Sequence, residues 1–145
     1  MARAGACPQE ELQAREEIRD VLGDERRIRH RWREILDAGR RGNATFEELA
    51  ERIDTDVTRE YRDSFDQLSA LHLDPAAPST VKLEQLKKYA QLRSEAAEAL
   101  ADALRSKDPK RIREAMALAR QLPYDARGME APPPPRRPSP PNSPR

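Results

Sequence analysis

Residues that build sheets or cross-link small folds are scarce in this chain. Aromatic residues make up only 4% of its 145 positions, and β-branched residues are few. A strand-rich sandwich needs both, so an all-β fold is excluded. The single cysteine, Cys7, leaves no disulfide within the chain. No stretch approaches the roughly 18 consecutive apolar residues of a membrane span. With five glycines and no Gly-rich strand-to-helix turn, a phosphate-cradling loop is absent too. An excess of charge of one sign is also missing. Lys and Arg total 27 against 26 Asp and Glu, a formal net charge of +1, so the whole molecule offers no field to steer a polyanion.

Chemistry-bearing constellations are equally thin. The two histidines, His30 and His72, follow Arg27 and Ser69 at the third position before each, so neither completes the Glu-x-x-His pair of a di-metal bundle. One cysteine gives no zinc cage. There is no G-x-S-x-G elbow. The carboxylates read as lying on polar helix faces, where nothing shifts a pKa for acid–base work. The expectation is therefore a non-enzymatic protein without metal or cofactor.

What the chain does have is charge, at 37% of residues, helical periodicity, and 13 prolines gathered mainly at its C-terminus. Residues 1–7 read as a flexible start. Pro8 can open a helix, because the first turn needs no amide donor there. Its apolar positions are Leu12, Ile18, Val21, Leu22, Ile28, Trp32, Ile35 and Leu36, mostly three and four apart. Gly23 invites a kink, and Gly39 and Gly42 mark the end. Thr45 and Glu48 form a capping box that starts the second helix. Its stripe, Phe46, Leu49, Ile53, Val57, Tyr61, Phe65, Leu68 and Leu71, runs until Asp74-Pro75. Ser79 or Thr80 caps the third helix, with Leu83, Leu86, Tyr89, Ala90, Ala96, Ala97, Leu100 and Leu104 on one face. Its alanine-rich half, from Ser94 to Leu104, lets a neighbour approach closely. Asp108-Pro109 then opens a short fourth helix, Ile112 to Leu122, after a tight reversal at Arg105-Ser106-Lys107.

Short connections between such helices predict an all-α antiparallel bundle of three long helices and one short one. The bundle spans 8–122, and 123–145 form a disordered proline- and arginine-rich tail. Opposite charge supports the pairing of the first two helices: seven arginines against three acids over 25–41, and eight acids against three arginines over 47–66. The narrow stripes also suit a seam shared between two copies, so a homodimer is an open expectation.

The function expected from these features is that of an interaction or scaffold module in the cytoplasm. In the tail, Pro132-x-x-Pro135-x-Arg137, with Arg136, fits a polyproline ligand for an aromatic groove on a protein partner. Nucleic acid is the weaker alternative: Arg26, Arg29 and Arg33 would contact phosphates, with Trp32 nearby to stack on a base. A third reading rests on Ala4-Gly5-Ala6-Cys7, which resembles the end of a lipoprotein cleavage site. Lipidation of Cys7, and with it an envelope location and a membrane contact, requires a start upstream of Met1.

Overall fold

A computed structural model describes residues 8–120. Cys7, Leu122 and the tail positions Pro132, Pro135, Arg136 and Arg137 lie outside the described residues. Helix α1 is Pro8–Arg40. A second rod follows in three parts: α2, Phe46–Ile53; a π-helical turn, Asp54–Thr58; and α3, Arg59–Ser69. Helix α4 is Thr80–Ser106 and α5 is Pro109–Arg120. The arrangement is the expected antiparallel all-α bundle, three long rods and one short helix.

Several local signals act as the sequence implies. The Thr45–Glu48 box is reciprocal: Glu48 N–H donates to Thr45 Oγ1 at 3.1 Å, and Thr45 N–H donates to Glu48 Oε1 at 2.9 Å. Asp108 Oδ1 accepts from Lys110 N–H at 3.0 Å and starts α5. Gly42, at φ 72°, takes the left-handed conformation that ends α1. Gly39 has a different task. A Cβ there would stand 2.8 Å from Leu49 Cδ1, so its missing side chain brings the end of α1 against the start of α2.

Other expectations need correction. Gly23 does not break the helix, because α1 is uninterrupted from Pro8 to Arg40. The second rod ends at Ser69, short of Asp74, because Asp74 builds its own turn. Its carboxylate accepts from Ala76 N–H at 2.8 Å, and its carbonyl accepts from Thr80 Oγ1 at 2.7 Å. Leu71 therefore packs against the core from a loop. Phe46 occupies the first helical position of α2, where it overhangs the bundle end and remains 41% exposed. The reversal before α5 is tighter than expected, since α4 continues to Ser106 and only Lys107, at φ 61°, and Asp108 stand between it and Pro109.

Helix α4 is the hub of the packing. It lies along α2, the π turn, α3 and α5, whereas α1 packs mainly on the second rod and touches α4 sparingly. Tyr61, Ile53, Leu68 and Val57 from the second rod meet Leu86 and Leu100 of α4 in the fully buried centre. Each such side chain contributes about 1.5–3 kcal/mol of burial. Buried Ala96, Ala97, Ala101 and Ala103 present the small surface that lets neighbours approach α4. Acids of α2 and of the π turn reach toward α4: Arg105 holds Asp54 at 2.7 Å and Glu47 at 3.5 Å. Arg31 to Asp56, at 3.0 Å, joins α1 to the second rod.

Gly23 sits in mid-helix with open space where a Cβ would go. Gly23→Ala should therefore stabilise the fold by about 1 kcal/mol, because only the unfolded chain loses freedom. A thermal melt should rise by about 4 °C.

Candidate functional site

Eight of the nine buried residues of α1 follow a three–four spacing, Glu11, Ala14, Ile18, Val21, Glu25, Ile28, Trp32 and Ile35, with Leu22 buried beside them. Two of these eight are carboxylates, at equivalent places two heptads apart. The expectation that all carboxylates lie on polar faces fails at both, because each falls in the register of the apolar stripe. Leu12, counted with that stripe from its chemistry, is out of register and 57% exposed.

Glu25 is 2% exposed and lies among side chains from three rods. Tyr61 Oη donates to its Oε2 at 3.0 Å, and Tyr89 Oη donates to the same oxygen at 2.7 Å. Arg29 Nη1 stands 3.4 Å from Oε1 in an ion pair without hydrogen-bond geometry. Beside this carboxylate, three rings surround the Arg93 guanidinium. Its carbon is 4.6 Å from the Trp32 ring centroid, 5.6 Å from Tyr61 and 5.8 Å from Tyr89. The rings meet edge to face, Trp32 to Tyr61 at 6.5 Å and Tyr61 to Tyr89 at 6.4 Å.

Burial pushes both tyrosine hydroxyls well above their ordinary range, and the Glu25 charge adds to this, so both remain protonated donors. Burial works against the Arg93 charge, but the Tyr61 and Tyr89 oxygens and Glu25 outweigh it and hold the guanidinium charged. The unit is a hydrogen-bonded carboxylate next to a caged cation, in which Glu25 Oε1 and the Trp32 Nε1–H have no hydrogen-bond partner among the described residues.

Glu11 plays a related part at one end of the bundle. It is 7% exposed. Ser79 N–H and Oγ donate to it at 3.2 and 2.6 Å, and Arg15 Nε at 2.8 Å. A carboxylate from α1 thus serves the first turn of α4, in place of the Ser79 hydroxyl cap expected there. Burial alone would raise the Glu11 pKa from its ordinary 4.5, but the Ser79 and Arg15 hydrogen bonds prevail and lower it.

Two surface grooves flank α1. One, of about 540 Å³, mixes Arg27, His30 and Arg31 with Asp24, Glu34, Asp56 and Glu60. Its charges pair internally: Arg31 to Asp56 at 3.0 Å, His30 to Glu34 at 3.3 Å, and Arg27 to Asp24. The other, of about 550 Å³, lies between α1 and the start of α4. Arg15, Arg19, Arg26 and Lys82 line it, with Glu11 as its one acid. Neither groove is lined by Glu25, Tyr61, Tyr89 or Arg93.

The arginines singled out from sequence do not act as a set. Arg26 is exposed and borders both grooves, Arg33 is exposed, and Arg29 turns inward to Glu25 with 22% of its side chain exposed. Trp32 is 4% exposed, as its place on the stripe implies, so no base can stack on it. Among the described residues, no three His, Cys, Asp or Glu side chains gather to hold a metal. No described helix is long and apolar enough to cross a membrane. No protein-family model matches the chain, and neither the curated proteins nor the solved structures searched contain a significant match.

The shared acceptor makes the two tyrosines interdependent. Tyr61→Phe and Tyr89→Phe should each cost about 1–3 kcal/mol in urea unfolding. Combined, they should depart from additivity by at least about 0.5 kcal/mol, because both act on one oxygen. Glu11 sets an acid limit. Its lowered pKa means that its contribution is complete above the ordinary value of 4.5 and is lost as the pH falls through the folded value. Glu11→Gln should cost about 1 kcal/mol at pH 7 and less at a pH well below 4.5, measured by denaturant midpoints at the two pH values.

Proposed function

We propose that the protein is a non-enzymatic interaction module: a rigid helical bundle that carries binding elements on its surface and in its tail. The observation that supports this reading is the engagement of Glu25 and Arg93 in the interior. Glu25 is held by two hydroxyls and an arginine, and Arg93 by three rings, so these groups serve the architecture. A bundle fixed in this way suits presentation of a ligand segment. Pro132-x-x-Pro135-x-Arg137 is the segment whose chemistry fits a protein partner, because a preformed polyproline helix loses little entropy on docking into an aromatic groove.

The full chain should capture a defined partner from the extract of its own host. A Pro132→Ala/Pro135→Ala/Arg137→Ala chain should lose at least tenfold in affinity for that partner, measured by titration of the purified pair. Equal affinity of the two chains would remove the tail from the binding role.

A further inference from the structure

We infer that Arg29 and Arg93 form a binding site for one phosphate group where α1 meets α4 beside Trp32. This does not depend on the tail. Three observations carry it. First, guanidiniums outnumber carboxylates there. Glu25 Oε1 faces Arg29 Nη1 at 3.4 Å. Its Oε2 accepts from Tyr61 Oη, and that same hydroxyl accepts from Arg93 Nε at 3.4 Å. Two cations thus share one carboxylate, which two tyrosines already hydrogen-bond. Arg93 forms no ion pair among the described residues, and its three rings supply attraction without a negative charge.

Second, the unengaged polar atoms of this cluster are mostly donors. Arg29 Nη1 and Trp32 Nε1 are buried and have no acceptor among the described residues, whereas Glu25 Oε1 alone lacks a donor. Buried N–H groups left in this way favour an added acceptor. Third, the site is held in shape and stays accessible. Arg93 is half-buried, with Nε tied to Tyr61 and its plane fixed by the rings. Its Nη groups make no hydrogen bond among the described residues and are not among the buried atoms. Arg29 keeps 22% of its side chain exposed. Helices α1 and α4 touch sparingly, which leaves room between the two elements that carry the forks. A planar carboxylate matches one fork, whereas a tetrahedral phosphate presents oxygens to forks on two helices. The cage makes Arg93 part of the architecture and also presets its fork, which lowers the ordering cost of binding.

The test is an NMR titration of the full chain with inorganic phosphate, at about pH 8 and constant ionic strength. The reporters are the indole N–H of Trp32, the single tryptophan of the chain, and the Arg93 Nε–H. Both resonances should shift saturably, with a midpoint below about 10 mM. Arg93→Lys keeps a charge over the rings but removes the fork, and should raise the midpoint by about tenfold or more. Arg29→Gln should raise it by a similar factor, with the fold of each variant checked by thermal melt. Arg59→Gln, on α3 away from the site, should leave it within about twofold. Acetate should bind about tenfold more weakly than phosphate, or weaker still. A phosphoserine peptide that binds more tightly than inorganic phosphate supports a phosphoprotein as the source of the group, and equal affinity supports a small phosphorylated compound. Absence of a saturable shift up to about 50 mM phosphate would overturn the inference, as would a midpoint indifferent to both Arg93→Lys and Arg29→Gln. Acetate binding as well as phosphate would assign the site to carboxylates instead.

Discussion

A carboxylate at the centre of an apolar seam sets the terms for this bundle. Burying a charge costs several kcal/mol unless hydrogen bonds and an opposite charge offset it. Glu25 meets that condition only where α1 brings it between Tyr61 of α3 and Tyr89 of α4, with Arg29 beside it. An apolar seam with three–four spacing is nearly self-similar under a seven-residue slip, and its hydrophobic energy alone discriminates weakly between registers. A slip of α1 by one heptad would move Glu25 to the place now held by Ile18 or Trp32, away from both hydroxyls. Glu11 acts in the same direction, because only one register places it on Ser79. The two glutamates therefore determine where α1 sits, and the apolar residues between them hold it there.

The rest of the architecture follows from this division of labour. Helix α4 packs along the second rod and α5, and α1 reaches α4 mainly at polar points: Glu11 to Ser79, Glu25 to Tyr89, and Trp32 over Arg93. Two helices joined at points rather than along a seam leave an open furrow between them. The basic groove is that furrow, and its walls are the flank residues Arg19, Arg26 and Lys82. The second rod is adapted to the same contact. Leu49, Ile53, Val57, Tyr61 and Phe65 recur every four residues, and at 3.6 residues per turn each such step overshoots by about 40°. The π turn at Asp54–Thr58 underwinds the rod within this run and keeps Val57 and Tyr61 aimed at the core.

Much of the fold was legible because helix ends and apolar stripes are local signals. Thr45, Asp108 and Gly42 speak for themselves, and Trp32 is core for the reason its spacing gives. Phe46 and the 70–79 turn were misread because stripe periodicity says nothing about where a neighbouring helix stops. Glu25 was hidden by its chemistry: a glutamate in a charged segment reads as solvated unless its phase is compared with that of Val21 and Ile28. A second clue was present in Tyr61 and Tyr89, two hydroxyls on apolar stripes, each of which needs an acceptor once buried. Arg93 left no trace of this kind, since its cage is assembled from three rods far apart in sequence. The same holds for the basic groove, which joins Arg19 to Lys82 only through the tertiary packing of α1 beside α4.

The claim that buried carboxylates set the register of α1 is tested most directly by amide NMR of Glu11→Leu/Glu25→Leu beside the native chain. The account predicts that amide resonances of 11–35 broaden or double while those of α4 and α5 stay single and sharp. One sharp set for α1, with native contacts between Trp32 and Arg93 retained, would contradict it and return the register to the apolar residues alone.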